Sequence, residues 1–400
     1  MSKTAFILIL LATTILLQSP LPVKSQTGET RFTITSIVTY SNNGTTNAWD
    51  LNGEDYAISL FMNKSWQTVS LVEHSLPLNS TEYDGDGNLL GFLNFTHLNQ
   101  LSPGQSVGYT VKYDVVSNPR PLPNIAEEQT LTLANISDTL KDLYCKEEGP
   151  WFTDNIALKN LAQILAGHET RVLTIVKNFV TWIHQYITYN SAEVPRYPNE
   201  TYNQRAGDCD DQAILLITLC RIVGIPAYLQ VGCIHMLGDS ESETYWTDGL
   251  GRAHVTSVLK QIGWHAWAIV YIPPWGWLPV DLTYVYPEYP GVDPLATDPL
   301  NAIKRAGVTE QDVIQYMNFT HTDYVGDSLR LRDFIRNNDF YIYETDKMEI
   351  SINFGSAWEL IQLIFEGTLV AATVIAAVSL VTIPFYKWKK RGKISQLKPS

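Results

Sequence analysis

The run Ala213-Ile214-Leu215-Leu216-Ile217-Thr218-Leu219-Cys220 constrains this chain more than any other segment. It is entered through Arg205-Ala206-Gly207-Asp208-Cys209-Asp210-Asp211-Gln212. Gly207 permits a sharp turn, Asp208 can cap, and Gly224 with Pro226 stops the helix that follows. A helix apolar on nearly all sides leaves no face for water and belongs at a domain centre. The 400 residues, 45% of them hydrophobic, suffice for two or three domains around such a helix. Cys209 then stands at the N-terminus of a buried helix, where unpaired amides and the macrodipole favour thiolate over thiol. The same amides form half of an oxyanion hole. Asp208, Asp210 and Asp211 oppose the thiolate, so a cationic partner is needed, most simply a histidinium.

The segment Trp264-His265-Ala266-Trp267-Ala268-Ile269-Val270-Tyr271 reads as a strand. A turn at Pro273-Pro274-Trp275-Gly276 leads to a second strand, Trp277 to Tyr284. Alternation puts His265, Trp267, Ile269 and Tyr271 on one face, and Trp277, Pro279, Asp281 and Thr283 on one face of the next strand. A hairpin centred on Pro273 sets His265 opposite Asp281, and a carboxylate there fixes the imidazole tautomer. His254 is the runner-up histidine. Cys233-x-His235 lacks a second ligand pair, so no metal is assigned. Cys220 is either inert packing or the partner of Cys233; eleven residues of helix, about 16 Å, keep it from Cys209.

A Gly-Asp-Cys helix start, a histidine opening an aromatic strand and an aspartate in the next strand, in that order, resemble the transglutaminase-like superfamily, a papain-like group of Cys-His-Asp proteins. The resemblance covers about Leu161 to Tyr284. It implies an α+β core, a central helix packed on an antiparallel sheet, with Cys209 as nucleophile, His265 as general base and acid, and Asp281 as orienter. Gln204 and Trp182 are candidates for completing the oxyanion hole, and Trp264, Trp267 and Asp208 for lining the cleft. Hydrolysis of peptides or other amides comes first, because no dedicated amine site is marked. Amine transfer to protein glutamine is second. A non-catalytic surface binding or adhesion module with a vestigial triad is the third reading. No cofactor is called for, with calcium left open.

Ahead of this core, from about Thr30 to Asn118, short alternating runs such as Phe32–Val38, Ala57–Phe61, Thr68–Val72 and Val107–Val111 read as a β-sandwich. Asp84-Gly85-Asp86-Gly87-Asn88 resembles a calcium loop, but Leu89 replaces its glycine and Phe95 its closing glutamate, so it reads as a hairpin turn. After the Pro119, Pro121, Pro123 linker, helical spacing covers Ala157–Leu165 and Thr170–Tyr186, the latter with Val172, Ile175, Val176, Phe179, Trp182 and Ile183 on one stripe. Thr309–Met317 and Ser328–Asn337 read as short helices.

The ends point to export. Lys3 and the apolar run Ala5–Leu17 before Pro20 and Pro22 describe a secretory signal, placed at 1–25. Gly367 to Tyr386 is uncharged and long enough to span about 30 Å of hydrocarbon. The basic tail 387–400, with Lys387, Lys389, Lys390, Arg391, Lys393 and Lys398, marks the cytoplasmic side. The domain reading is therefore a signal, a sandwich at 27–118, a transglutaminase-like domain at 125–345 with its core at 161–284, a transmembrane helix at 367–386 and a tail. The main body is expected outside a single-pass membrane anchor, acting on an extracellular protein or peptide. Seven Asn-x-Ser/Thr sequons, from Asn43 to Asn318, suit a glycoprotein outside the cell. The net charge of -13, with no basic stripe, excludes nucleic acid as a partner.

Overall fold

The computed structural model describes residues 28–351 apart from 96, 97 and 99. The signal at 1–25, the span at 367–386 and the tail at 387–400 lie outside the described residues. Among the described residues no helix is long and apolar enough to cross a membrane.

Among the described residues, thirteen strands of three or more residues and five of the helices frame the site. In chain order the strands are β1 (Thr30–Asn42), β2 (Ala57–Ser59), β3 (Gln67–His74), β4 (Leu78–Tyr83), β5 (Leu89–Leu93) and β6 (Ser106–Ser117). Helices α1 (Ile156–Ala166), α2 (Val172–Tyr186), α3 (Pro198–Gln204) and α4 (Cys209–Ile222) follow. Then come β7 (Ala227–His235), β8 (Glu241–Thr247), β9 (Ala253–Lys260), β10 (Ile262–Ile272), β11 (Gly276–Val280), β12 (Val313–Phe319), α5 (Tyr324–Asn338) and β13 (Phe340–Ile350). The result is a mixed α/β fold.

The β-rich beginning does not close on itself. Its long strands join a six-stranded sheet in the order β8-β9-β13-β1-β6-β3, so the last strand of the described chain fills the place beside β1. The pairing runs from Phe32 opposite Ile350 to Asn42 opposite Phe340. The reason lies in β1 itself. Phe32, Ile34, Val38 and Tyr40 are buried, and a thirteen-residue strand left at a sheet edge would present a long row of unpaired N–H and C=O groups, so it takes a partner on each side. The described residues accordingly form one compact unit, without a break at the proline linker.

The core follows the expected plan. Sheet β11-β10-β7-β12 is antiparallel throughout, and α4 lies against it. Ile214, Leu215, Leu216, Ile217 and Leu219 are fully buried. At roughly 1.5–3 kcal/mol for each buried aliphatic side chain, this single helix anchors the domain. Ala266 and Ala268 on the facing side of β10 are small and let the helix approach.

Helix α2 buries Val172, Ile175, Val176, Phe179 and Ile183, as its spacing requires, and α1 begins on Asn155, whose side chain accepts from the amides of Ala157 and Leu158. One expected helix is a strand. After a single turn at Gly307–Thr309, residues Val313–Phe319 extend as β12 and pair with β7. Val313, Ile314 and Gln315 are buried between two layers, and this tertiary pairing overrides the local helical spacing. All four cysteines are free; Cys220 and Cys233 are buried in different apolar clusters, so they do not pair.

Candidate active site

The turn before Cys209 is fixed by contact. A Cβ on Gly207 would stand 2.6 Å from Cβ of Asp211 and 2.9 Å from Thr201, so only glycine fits between α3 and the first turn of α4. Gln212 Nε2 donates to the Gly207 carbonyl at 2.9 Å and pins the turn from inside. Asp208 is the N-cap with extended backbone, and its N–H donates to Asp211 Oδ2 at 3.3 Å. Cys209 is thereby delivered, half-buried, at the first position of the helix.

Its thiol is hydrogen-bonded to the backbone of Ala266, the residue after His265, and feels the charge of Asp281. His265 and Asp281 form a buried pair, 7% and 1% exposed, with Nε2 and Oδ2 at 2.8 Å. The other carboxylate oxygen of Asp281 accepts from the amides of Thr283 and Tyr284, both at 3.0 Å. The imidazole lies between the rings of Trp267 and Tyr284, with centroids 5.7 and 5.8 Å away. With Nε2 engaged by the carboxylate, Nδ1 is the nitrogen left for the thiol.

The hairpin that brings this pair together has a different register from the one expected. Ala268 faces Val280 and Ile269 faces Pro279, so the turn is centred on Pro274 rather than Pro273. Strand β11 ends at Val280, and Asp281 sits just beyond it. Its side chain reaches His265 diagonally from there.

The environment of the thiol also departs from the sequence reading. Burial, with the charges of Asp210 and Asp208, pushes Cys209 well above the ordinary thiol range, and the Ala266 backbone only partly offsets this. Burial likewise pushes Asp210 well above the usual carboxylate range, reinforced by its hydrogen bond to Asp208 and the charges of Asp208 and Asp211. Asp211 is held at about 6 by burial and Asp208 against the opposing pull of Arg196. Arg196 pairs with Asp211 through its guanidinium, and its backbone N–H donates to Asp211 Oδ1 at 2.6 Å. The three carboxylates approach within 4.8 Å, a spacing open to a cation; Arg196, Tyr324 and backbone amides serve most of their oxygens, and Asp208 Oδ1 is buried without a donor.

The accessory candidates separate. Trp182 stacks on Tyr202, lies tilted against Tyr186, and carries the Arg205 guanidinium 4.8 Å from its ring. Gln204 is exposed and lines a cavity of about 230 Å³ with Val194, Arg196, Leu329 and Arg332. Trp264 faces the large sheet, its Nε1 donating to Asp346 Oδ2 at 2.8 Å, while Trp267 is fully buried behind His265. Trp264 is therefore core rather than cleft, because with Ile262 it packs into the apolar cluster of the large sheet, whereas Ala266 and Ala268 further along β10 pack with α4. Two residues the sequence did not point to lie within electrostatic reach of the thiol instead. Tyr189 and Tyr324 are both close enough for burial and the charges of Cys209, Asp208 and Asp210 to raise their hydroxyls. Tyr324 Oη donates to Asp210 Oδ2 at 3.1 Å. Neither lies near Cys209 in sequence, and no local pattern announces them.

A cysteine at the start of a central helix, next to an antiparallel sheet that carries a histidine–carboxylate pair, is the arrangement of papain-like thiol sites. Residues 159–282 match the core model of the transglutaminase-like superfamily, and this stretch is a transglutaminase-like domain. No curated protein matches the sequence. Among solved structures, the chain is similar to a candidate cysteine protease from Cytophaga hutchinsonii, at 17% identity and TM-score 0.45, covering 81% of this chain and 90% of that one. It is also similar to the periplasmic domain of TgpA from Pseudomonas aeruginosa bound to ethylmercury, at 16% identity and TM-score 0.31, covering 65% of this chain and 91% of that one.

Proposed function

We propose that this protein is a membrane-anchored extracytoplasmic cysteine hydrolase that cleaves peptide or other amide bonds through a thioester on Cys209. The observation that carries the reading is the buried His265–Asp281 pair at 2.8 Å beside a thiol held at a helix N-terminus. Asp281 orients the ring and keeps the proton on Nε2, so Nδ1 accepts. The raised thiol makes His265 a general base acting during attack rather than one half of a resting ion pair. The sulfur–carbonyl bond forms as the thiol proton passes to Nδ1. The oxyanion is received by the Cys209 amide, which has no intrahelical partner at the helix start. Collapse expels the amine, which takes the proton from His265. Water, deprotonated by the same imidazole, then releases the carboxylic acid and the free thiol.

Hydrolysis is preferred to amine transfer because no dedicated amine site is marked. The test is to incubate the protein with a protein substrate and a labelled amine. Cleavage without incorporation supports the proposal, incorporation replaces it with cross-linking, and neither favours the binding or adhesion module with a vestigial triad. The anchor rests on the uncharged span and its basic tail. External protease on intact cells should remove the body and spare a fragment beginning near Gly367; protection of the whole chain refutes the outward orientation.

A further inference from the structure

The turn at Asp84–Asn88 closes the β4–β5 hairpin, and its acidic side chains accept from backbone amides. Asp84 Oδ1 accepts from the amides of Asp86 and Asn88, at 2.9 and 2.8 Å. That leaves Asp86 to reach outward, far along the chain. Its Oδ1 accepts from the amides of Thr320 and His321, at 3.0 and 2.7 Å, and its Oδ2 from Thr322 at 3.2 Å. Asn88 adds a reciprocal pair with the Asn318 backbone, both bonds at 2.8 Å. Three successive amides converging on one carboxylate fix a backbone segment more firmly than a neutral acceptor could. The Thr320 carbonyl is held from the other side by Trp151 Nε1 at 2.8 Å and Arg221 at 3.1 Å.

This segment leads straight into α5. Asp323 caps it, accepting from the Gly326 amide at 3.0 Å and from Tyr197 Oη at 3.0 Å. Tyr324, packed on Phe319 with ring centroids 4.8 Å apart, carries its hydroxyl to Asp210. Asp210 is the immediate neighbour of Cys209.

We propose that Asp86 is a positioning residue for the thiol site: the hairpin tip clamps residues 320–322 and thereby holds Tyr324 against Asp210. The clamp comes from the β-rich beginning of the chain, remote in sequence from the transglutaminase-like domain, which gives that region a part in the chemistry. The inference takes its meaning from Cys209 being the nucleophile, but its measurement does not require turnover. The groups that set the thiol's environment are Asp208, Asp210, Asp211 and Arg196 around the helix start, His265 and Asp281 from the sheet, and Tyr189 and Tyr324. Tyr324 stabilises charge on Asp210 through its hydrogen bond, and its ring packs on Phe319 beside the helix start that carries the thiol. Loss of either effect lowers the pH at which the thiolate forms.

The experiment measures iodoacetamide alkylation of the Cys209 peptide against pH in the full chain. Tyr324→Phe should move the midpoint toward that of an ordinary thiol, by about half a unit or about threefold in rate at fixed pH. Asp86→Ala should move it the same way, and the double variant no further than the larger single shift. Glu82→Ala, exposed on the same hairpin, should leave it unmoved. An unshifted midpoint in folded Asp86→Ala, or shifts that simply add, overturns the proposal. Should Asp86→Ala fail to fold, Asp86→Asn decides, since it keeps one acceptor oxygen: a smaller shift in the same direction supports the clamp, and none refutes it. Turnover surviving in Cys209→Ala would sink the hydrolase reading while leaving this measurement intact.

Discussion

Replacing Asp281 by asparagine probes the tautomer on which the proposed chemistry depends. In the native site one oxygen of Asp281 serves the amides of Thr283 and Tyr284, and the other accepts from His265 Nε2. An asparagine keeps its single oxygen on the two amides, where both donors are fixed by the backbone. Its NH2 group then faces Nε2, which must accept, and the ring proton moves to Nδ1. The nitrogen facing the thiol can no longer take its proton. General-base catalysis is worth about 10²–10⁴-fold, so kcat should fall by about a thousandfold, equivalent to about 4 kcal/mol of barrier. Asp281→Ala frees the tautomer and should retain more turnover than Asp281→Asn. It should unfold more easily, because two half-buried amides lose a charged acceptor, at up to about 1.5–3 kcal/mol each. Steady-state hydrolysis and urea denaturation on both variants supply the comparison. If alanine is the less active of the two, or if asparagine retains wild-type kcat, the tautomer argument is wrong.

Three further outcomes follow from the structure. Cys209→Ala should abolish turnover with an unchanged denaturation midpoint, since the helix start tolerates a small side chain; retained turnover would falsify the nucleophile assignment. Burial together with Asp346 pushes Glu344 from 4.5 to about 8, so the folded state holds a proton there that the unfolded chain has released. Stability should therefore fall as pH rises between those values, by an amount on the order of a few kcal/mol, and Glu344→Gln should flatten the decline in melting temperature. Leu216→Ala, in the middle of the buried helix, should cost about 2–5 kcal/mol in urea unfolding; a cost below 1 kcal/mol would mean the helix is not the core element.

Local sequence was enough for the parts of the site that depend on local physics. The apolar octet after Gly207-Asp208-Cys209 has no solvent-compatible face, so a central helix with cysteine at its start followed from residues alone. Strand alternation likewise set His265 and Asp281 near each other, even with the hairpin register off by two residues in its paired positions. A two-residue slip keeps every side chain on its own face. What tertiary structure decided depends on pairing across long stretches of chain. Val313–Phe319 has helical spacing and is a strand because β7 needs a second neighbour. Residues 340–350 complete the sheet of the first ninety because β1 needs one too. The pKa of the thiol was beyond the sequence for the same reason. Helix amides promised a depressed value, but desolvation by the surrounding fold, reinforced by Asp210 and Asp208, raises it. Tyr189 and Tyr324 reach the site through folding, and Asp86 reaches Tyr324's segment the same way. Periodicity reports which face of an element is buried; only the packed chain decides what that face meets.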